Sequence, residues 1–154
     1  MRPHSASHLL VPSVWRNPYS FRISGYHPSL AIGSTKELIE ATLKTILNGF
    51  GVEYDEKKDD IPKLLKQVQK VLELAPDEVD GSKKGAEVIK RVLSNLGSIA
   101  VGVVELKNLY GSGHGKGQKS QGLTSRHAEL VVGSGTTLCA FLLKTYEHRN
   151  NFKA

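Results

Sequence analysis

Cysteine is almost absent from this chain, which has a single one among 154 residues. That residue, Cys139, lies in the apolar run Leu138–Leu143. One cysteine cannot form an intramolecular disulfide, and a zinc cluster built on cysteine needs several. We therefore expect Cys139 to lie in the core of a fold that packing alone holds together.

Long apolar runs are also lacking. Nowhere are 18 apolar residues consecutive, and Pro12 and Ser13 interrupt the short segment Leu9–Val11. A membrane-spanning helix or a signal peptide needs a longer apolar stretch. We therefore predict a soluble, cytoplasmic protein without a membrane partner. With 39% hydrophobic residues in 154, the chain can bury one core, and we expect one domain plus a tail.

Acidic residues are fewer than basic ones. The chain has 15 aspartates and glutamates and 21 lysines and arginines, which gives a formal net charge of +6. The isoelectric point is about 9.4. A basic protein attracts anionic partners such as nucleic acid, although net charge says nothing about the fold. This balance permits an RNA-binding function without establishing one.

Periodicity is missing from residues 1–30, which are rich in proline, serine and histidine. This composition predicts an N-terminal arm that is partly disordered or packs against a partner. A helical domain should then cover residues 31–150. Its first helix is predicted over 35–48, because Ser34 and Glu37 form a capping-box pattern and Asn48-Gly49 can end a helix.

Three further helices follow from the apolar spacing. The second should start after Asp59 or Asp60, with Pro62 in its first turn, and end before Pro76. The third should run from about Ser82 to residue 106, where Gly97 and Gly102 would permit close approach of another helix. The fourth should be capped by Ser125 and turn these residues inward: Leu130, Val131, Leu138, Phe141, Leu142 and Tyr146.

A glycine-rich segment separates the last two helices, and residues 111–122 contain five glycines. It does not fit a nucleotide-binding loop, because Tyr110 stands where the first glycine of that motif should precede Gly115-Lys116. A catalytic serine is disfavoured because Gly133-Ser134-Gly135 lies in a predicted helix. No metal-ligand spacing joins His114 and His127, so we predict neither a metal nor a cofactor.

The same segment concentrates most of the polar chemistry of the chain. Lys107 and Asn108 close the third helix, His114 lies in the glycine-rich loop, and Arg126 and His127 open the fourth helix. A histidine with an ordinary pKa near 6.5 can take a proton from a ribose 2′-hydroxyl, while lysine and arginine stabilise charge on the phosphate. In the alternative interpretation, Asn108 caps a helix, the glycines make a turn and both histidines are surface residues.

A family resemblance rests on this segment and two others. The stretch Leu106–Gly115 resembles the hallmark Arg-Asn-x-Tyr-Gly-x-x-His-Gly of the abortive-infection C-terminal family. The stretches Ala31–Leu47 and Arg126–Glu147 are similar to two further blocks of that family, in the same order. The family is similar to HEPN domains, which implies an all-α bundle of about four helices with a glycine-rich loop between the last two.

The resemblance also implies a function. Many HEPN domains are metal-independent endoribonucleases of phage-defence and toxin systems, and they commonly dimerise so that an Arg-x(4–6)-His motif from each subunit lines a shared cleft. It implies Lys107, Asn108 and His114 as catalytic residues. Single-stranded RNA would be the substrate, a second copy the partner, and an antitoxin or sensor a further partner. The residues expected to bind the substrate are Tyr110, Lys116, Lys119, Arg126 and His127.

One departure from the hallmark affects that expectation. Lys107 stands where the family has arginine. Lysine keeps the positive charge but loses the planar guanidinium that holds a phosphate through two parallel hydrogen bonds. The alternative function is therefore a HEPN-like module that binds RNA or protein without cleaving it. A third interpretation is a dimerisation module with no salt-dependent affinity for RNA.

Overall fold

The computed structural model describes residues 28–74, 80–82, 84–110 and 124–151 of the chain. It contains four α-helices: α1 (Pro28–Gly49), α2 (Ile61–Val71), α3 (Ala86–Tyr110) and α4 (Ser125–Asn151). The described part contains no strand, which confirms the predicted all-α bundle. The predicted glycine-rich loop lies outside the described residues. Within the described part, no helix is long and apolar enough to cross a membrane.

The helix α1 begins seven residues earlier than the predicted start at 35, so that prediction was wrong. Pro28 suits the first turn because its fixed φ is helical and its missing N–H needs no partner there. Ile32 is fully buried and extends the apolar stripe upstream, so the Ser34–Glu37 pattern lies inside the helix. At the other end, Gly49 is still helical, and the left-handed residue is Gly51 with φ +67°.

The helix α2 starts and ends as predicted. Asp60 is its N-cap, and its carboxylate accepts a hydrogen bond of 3.1 Å from the amide of Lys63. Pro62 occupies the first turn, where its missing N–H costs nothing. The buried residues of this helix form one stripe: Ile61, Leu64, Leu65 and Val68.

The helix α3 begins at Ala86, four residues after the predicted start, because Gly85 has a φ of +84° that a helix does not allow. The predicted close approach at Gly102 was wrong: within the described residues, nothing lies within 4 Å of the place where its Cβ would be. Gly97 makes only an ordinary contact of 3.9 Å with Leu65. Of the predicted apolar stripe, Ile89 and Val92 are exposed rather than packed.

The helix α4 differs from the prediction at its cap and on one face. The carbonyl of Thr124 accepts the amide of Ala128 at 3.3 Å, so Thr124 and not Ser125 is the capping residue. Leu130 and Phe141 were predicted to face inward, but Leu130 is 68% exposed and Phe141 is exposed as well. The buried residues of this helix lie on one side because they pack against α1: Ala128, Val131, Gly135, Leu138, Cys139 and Leu142.

The core lies mainly between α1 and α4, which run side by side in the same direction. The position of a Cβ on Gly135 coincides with the Thr35 methyl group in the first half of α1. At the end of α1, Gly49 lies against the phenol of Tyr146. Cys139 is buried in this interface, and loss of solvation there raises the pKa of its thiol. As predicted, the thiol is therefore part of the core.

The other two helices complete the bundle in opposite directions. Ile61 at the start of α2 lines a cleft with Lys36 of α1, and Glu73 just after α2 pairs with Arg149 near the end of α4. The helix α2 is therefore parallel to α1 and α4. Gly97 of α3 contacts Leu65, whereas Val104 lies by Ile61, one turn earlier in α2. Thus α3 is antiparallel to the other three helices.

Candidate functional site

The helix directions bring the two predicted clusters to one end of the bundle. Because α3 is antiparallel to α1 and α4, its last turn lies at the end of the bundle where α1 and α4 begin. Lys107 and Asn108 are in that last turn, and Arg126 and His127 are in the first turn of α4. Within the described residues, no hydrogen bond or ion pair joins the two clusters.

The end of α3 presents charge and amide groups to solvent. Lys107 and Asn108 are both exposed, and neither side chain has a polar partner among the described residues. The carbonyl end of a helix carries partial negative charge, which favours a lysine there. The alternative interpretation that Asn108 caps the helix finds no support, because α3 continues to Tyr110. Within the described residues, the side chains of Lys107 and Asn108 are therefore exposed and unpaired.

The start of α4 is organised by His127. The amide of Thr124 donates to Nδ1 of His127 at 3.1 Å, and the Thr124 hydroxyl lies 3.0 Å from the same nitrogen. This is the backbone half of a capping box, with histidine in the place of glutamate or glutamine. Because an amide N–H can only donate, Nδ1 carries no hydrogen, and the neutral ring carries its hydrogen on Nε2. The cap therefore uses Nδ1 of His127 and leaves Nε2 out.

Arg126 lies beside this cap and has no ion pair within the described part of the chain. No described group accepts from the amides of Ser125 and Arg126, which belong to the first turn of α4. Free amides and the positive end of a helix dipole attract anions. Arg126 and His127 add a cationic side chain and an imidazole to this same first turn of α4.

A comparison with protein families identifies the chain. A model of the Abi-C family, described as an HEPN-like domain, matches residues 22–146. The chain belongs to this family of HEPN-like domains. The match covers α1, α2, α3 and most of α4, including both clusters. No curated protein and no solved structure was found to match.

Several residues predicted for the site of this HEPN-like domain lie outside the described residues. They are His114, Lys116 and Lys119, and the side chain of Tyr110 is also not described. Their roles remain predictions. Thr124 was missed, although Thr124 and His127 have the three-residue spacing of a capping box. Allowing histidine at the last position of that pattern would have revealed it.

Two clefts of the described HEPN-like domain are not lined by residues of either cluster. One is lined by Asn48, Tyr54 and Glu56 at the end of α1, opposite to the end where α4 begins. A second, beside Lys36 and Asp60, contains charges of both signs. Among the described residues, no group of three or more histidines, cysteines, aspartates or glutamates could hold a metal ion. Within the described residues, both clusters therefore lie outside these two clefts.

Proposed function

We propose that this HEPN-like domain is an endoribonuclease of an abortive-infection or toxin system and cleaves single-stranded RNA without a metal. The observation that supports it is the placement of Lys107, Asn108, Arg126 and His127 at one end of the bundle. The segment between them in the chain carries His114. Cations, amides and imidazoles are the groups that this reaction needs.

The proposed reaction is a transesterification within the RNA chain. The ribose 2′-oxygen attacks the adjacent phosphorus and gives its proton to the imidazole of His114. The bond from phosphorus to the 5′-oxygen of the next nucleotide breaks, and that oxygen takes a proton from water. Lys107 and Arg126 stabilise the charge on the phosphate oxygens, and Asn108 orients the phosphate. The products are a 2′,3′-cyclic phosphate and a 5′-hydroxyl, and no metal takes part.

A cleavage assay tests this proposal. Purified protein should cut single-stranded RNA in the presence of EDTA, and the new 5′ ends should be free hydroxyls. His114→Ala should reduce the rate at least about a hundredfold, which is the usual contribution of a general acid or base. The matched control is His148→Ala, an exposed histidine in the last turn of α4. Unchanged cleavage by His114→Ala would remove the proposed role of His114.

The lysine at position 107 favours a second candidate, an HEPN-like module that binds RNA or a protein without cleaving it. An ammonium group cannot hold a phosphate through two parallel hydrogen bonds. If the natural protein does not cleave RNA and the Lys107→Arg variant does, the second candidate is correct. If the natural protein already cleaves, lysine is sufficient. A third candidate, a dimerisation module, requires that RNA affinity be absent at low salt.

We further propose that the protein acts as a homodimer and that an antitoxin or sensor controls it. The family resemblance supports this proposal.

A further inference from the structure

The chain contains no acidic residue before Glu37. Three arginines, Arg2, Arg16 and Arg22, precede the start of α1. Residues 1–27 therefore carry a formal charge of +3, which is half of the net charge of the chain. A stretch with this balance attracts a polyanion.

Aromatic residues are concentrated in the second half of this stretch. Residues 15–27, which we call the aromatic segment, hold four of the ten aromatic residues of the chain and two of the three arginines. The residues concerned are Trp15, Arg16, Tyr19, Phe21, Arg22 and Tyr26. Rings on which bases stack and arginines that contact phosphates are the combination by which proteins bind single-stranded nucleic acid. The aromatic segment therefore has the chemistry of an RNA-binding element.

Most of the aromatic segment lies outside the region that matches the family. The family match begins at residue 22, after Trp15, Arg16 and Tyr19. What these residues do is therefore not supplied by the HEPN-like domain, and it has to be inferred from their chemistry and their position.

The fold attaches the aromatic segment beside the start of α4. The segment ends at residue 27, and α1 begins at Pro28. Thr35 lies opposite Gly135 in the contact between α1 and α4. Pro28 and Ala128 each stand seven residues before these two positions. Because the two helices are parallel and both rise about 1.5 Å per residue, Pro28 is level with Ala128 in the first turn of α4.

One RNA strand can reach both places. The axes of packed helices are about 8–10 Å apart, so the chain enters α1 about that far from the start of α4. Arg22 stands six residues before Pro28. An extended chain spans at most about 3.6 Å per residue, so Arg22 lies no more than about 22 Å from Pro28. A strand that contacts Arg126 is therefore within reach of the aromatic segment.

The end of the bundle offers the aromatic segment no acidic partner in its first turns. Within the described helices, neither the first turn of α1 nor that of α4 contains an acidic residue, and Arg126 adds a positive charge. The two helix N-termini carry partial positive charge as well. Like charges oppose the packing of Arg16 and Arg22 on this end, whereas a polyanion between them relieves the repulsion. Charge therefore favours RNA over the bundle itself as the partner of the segment.

We propose that the aromatic segment is a second binding element for single-stranded RNA, continuous with the site at the start of α4. Bases stack on its rings, and Arg16 and Arg22 contact phosphates next to the one that Arg126 contacts. The proposal rests on the proposed function in taking single-stranded RNA as the ligand, and it does not require that the RNA be cleaved.

The fluorescence of Trp15 tests the contact directly, because Trp15 is the only tryptophan of the chain. The full chain is titrated with a single-stranded RNA whose 2′-hydroxyls are methylated, which prevents cleavage and keeps the bases and phosphates. Stacking of a base on Trp15 should quench its emission, with the same affinity that the anisotropy of a label on the RNA reports. Binding that leaves the emission of Trp15 unchanged would overturn the proposal, and so would the absence of binding.

Variants of Trp15 test the contribution of stacking to affinity. Trp15→Ala should weaken RNA binding at least about fivefold, which is the lower end of the usual contribution of a stacked base. Trp15→Phe keeps a ring and should retain most of the affinity. The matched control is Phe141→Ala, at an exposed aromatic residue in the middle of α4, which should bind as the natural protein does. Equal affinities of Trp15→Ala and the natural protein would contradict the stacking role.

Replacement of both Arg16 and Arg22 by glutamine tests the phosphate contacts. The slope of log affinity against log salt should fall by about 1.4, since each contact with a single strand contributes about 0.7. The control with the same change in charge replaces Lys66 and Lys70, two exposed lysines of α2, by glutamine. An equal fall in both double variants would show that RNA responds to the total charge, and the assigned contacts would be wrong.

Vesicles of phosphatidylserine and phosphatidylcholine test the other anionic partner, because basic segments with aromatic residues also bind lipid headgroups. A response of Trp15 to the vesicles and none to RNA would make the aromatic segment a lipid-binding element and overturn the proposal. Cleavage of unmodified RNA is measured separately. A protein that binds RNA through Trp15 and cuts none would support this proposal and overturn only the ribonuclease function.

Discussion

The methyl group of Thr35 occupies the space above Gly135, so that a Cβ at position 135 would collide with it. The Thr35 hydroxyl donates to the carbonyl of Ala31 at 2.8 Å, which fixes the rotamer of the side chain. The methyl group therefore cannot turn away without loss of that hydrogen bond. This contact sets how closely α1 and α4 approach.

Gly135→Ala is expected to destabilise the protein, although alanine is the better helix former. Overpacking at such a contact costs about 1–3 kcal/mol, against a gain in helix propensity of about 1 kcal/mol. Because the collision with Thr35 is direct, the cost should lie in the upper part of that range, and the net loss in the free energy of unfolding by urea should be about 1–2 kcal/mol. Gly133→Ala is the control, because nothing described lies within 4 Å of its Cβ, and it should stabilise the protein. Adding Thr35→Ser, which removes the methyl group and keeps the hydroxyl, should rescue Gly135→Ala.

His127 is expected to contribute to stability through the cap of α4. His127→Ala removes the acceptor for the Thr124 amide and should cost about 0.5–1 kcal/mol, which is typical of a lost cap. His127→Gln should lose less, since glutamine is a normal capping-box residue at this position. The measurement is urea unfolding followed by circular dichroism. Equal losses in the two variants would contradict the capping role of Nδ1.

Glu40 is expected to make the stability of the protein depend on acidic pH. Hydrogen bonds from Lys36 at 2.6 Å and from Lys44 at 3.0 Å lower the pKa of Glu40 from its ordinary value of 4.5. A lowered pKa adds stability above the ordinary value, and the contribution is lost as the pH falls through the folded value. Glu40→Gln should therefore lose at most about 1 kcal/mol near neutral pH, since the carboxylate is partly exposed. The difference from the natural protein should vanish in acid.

Glu37→Gln is the control for that measurement. Glu37 lies on the same helix, is exposed and has no ion pair within the described residues. Its variant should follow the natural protein at every pH. A Glu40→Gln variant whose deficit persists below the ordinary pKa of glutamate would show that the loss is one of packing.

The sequence predicts the helices well where local chemistry decides their ends. Asp60 and Pro62 mark the start of α2 without help from the rest of the fold. The start of α1 was missed because Ser34 and Glu37 make a capping pattern inside a helix whose true beginning at Pro28 is set by burial of Ile32. Periodicity also could not distinguish the buried face of α3 from its exposed residues Ile89 and Val92, since both use the same residue types.

The site was predictable as a set of residue types and only partly as a geometry. The sequence places Lys107 and Arg126 near two helix ends, but their arrangement at one end of the bundle depends on the direction of α3, which follows from packing. The sequence could not show which ring nitrogen of His127 accepts the hydrogen bond of the cap. Only the position of Thr124 shows which ring nitrogen is occupied.

Arg126 is expected to bind RNA without contributing to stability. Its side chain is exposed and has no described polar partner, so Arg126→Ala should leave the free energy of unfolding within about 0.5 kcal/mol of the natural value. If it contacts a phosphate, the variant should bind a single-stranded RNA more weakly, and the slope of log affinity against log salt should fall by about 0.7. The control is Lys66→Ala, an exposed lysine on α2. The same change in slope for both variants would mean that RNA responds to the total charge of the protein and not to the start of α4.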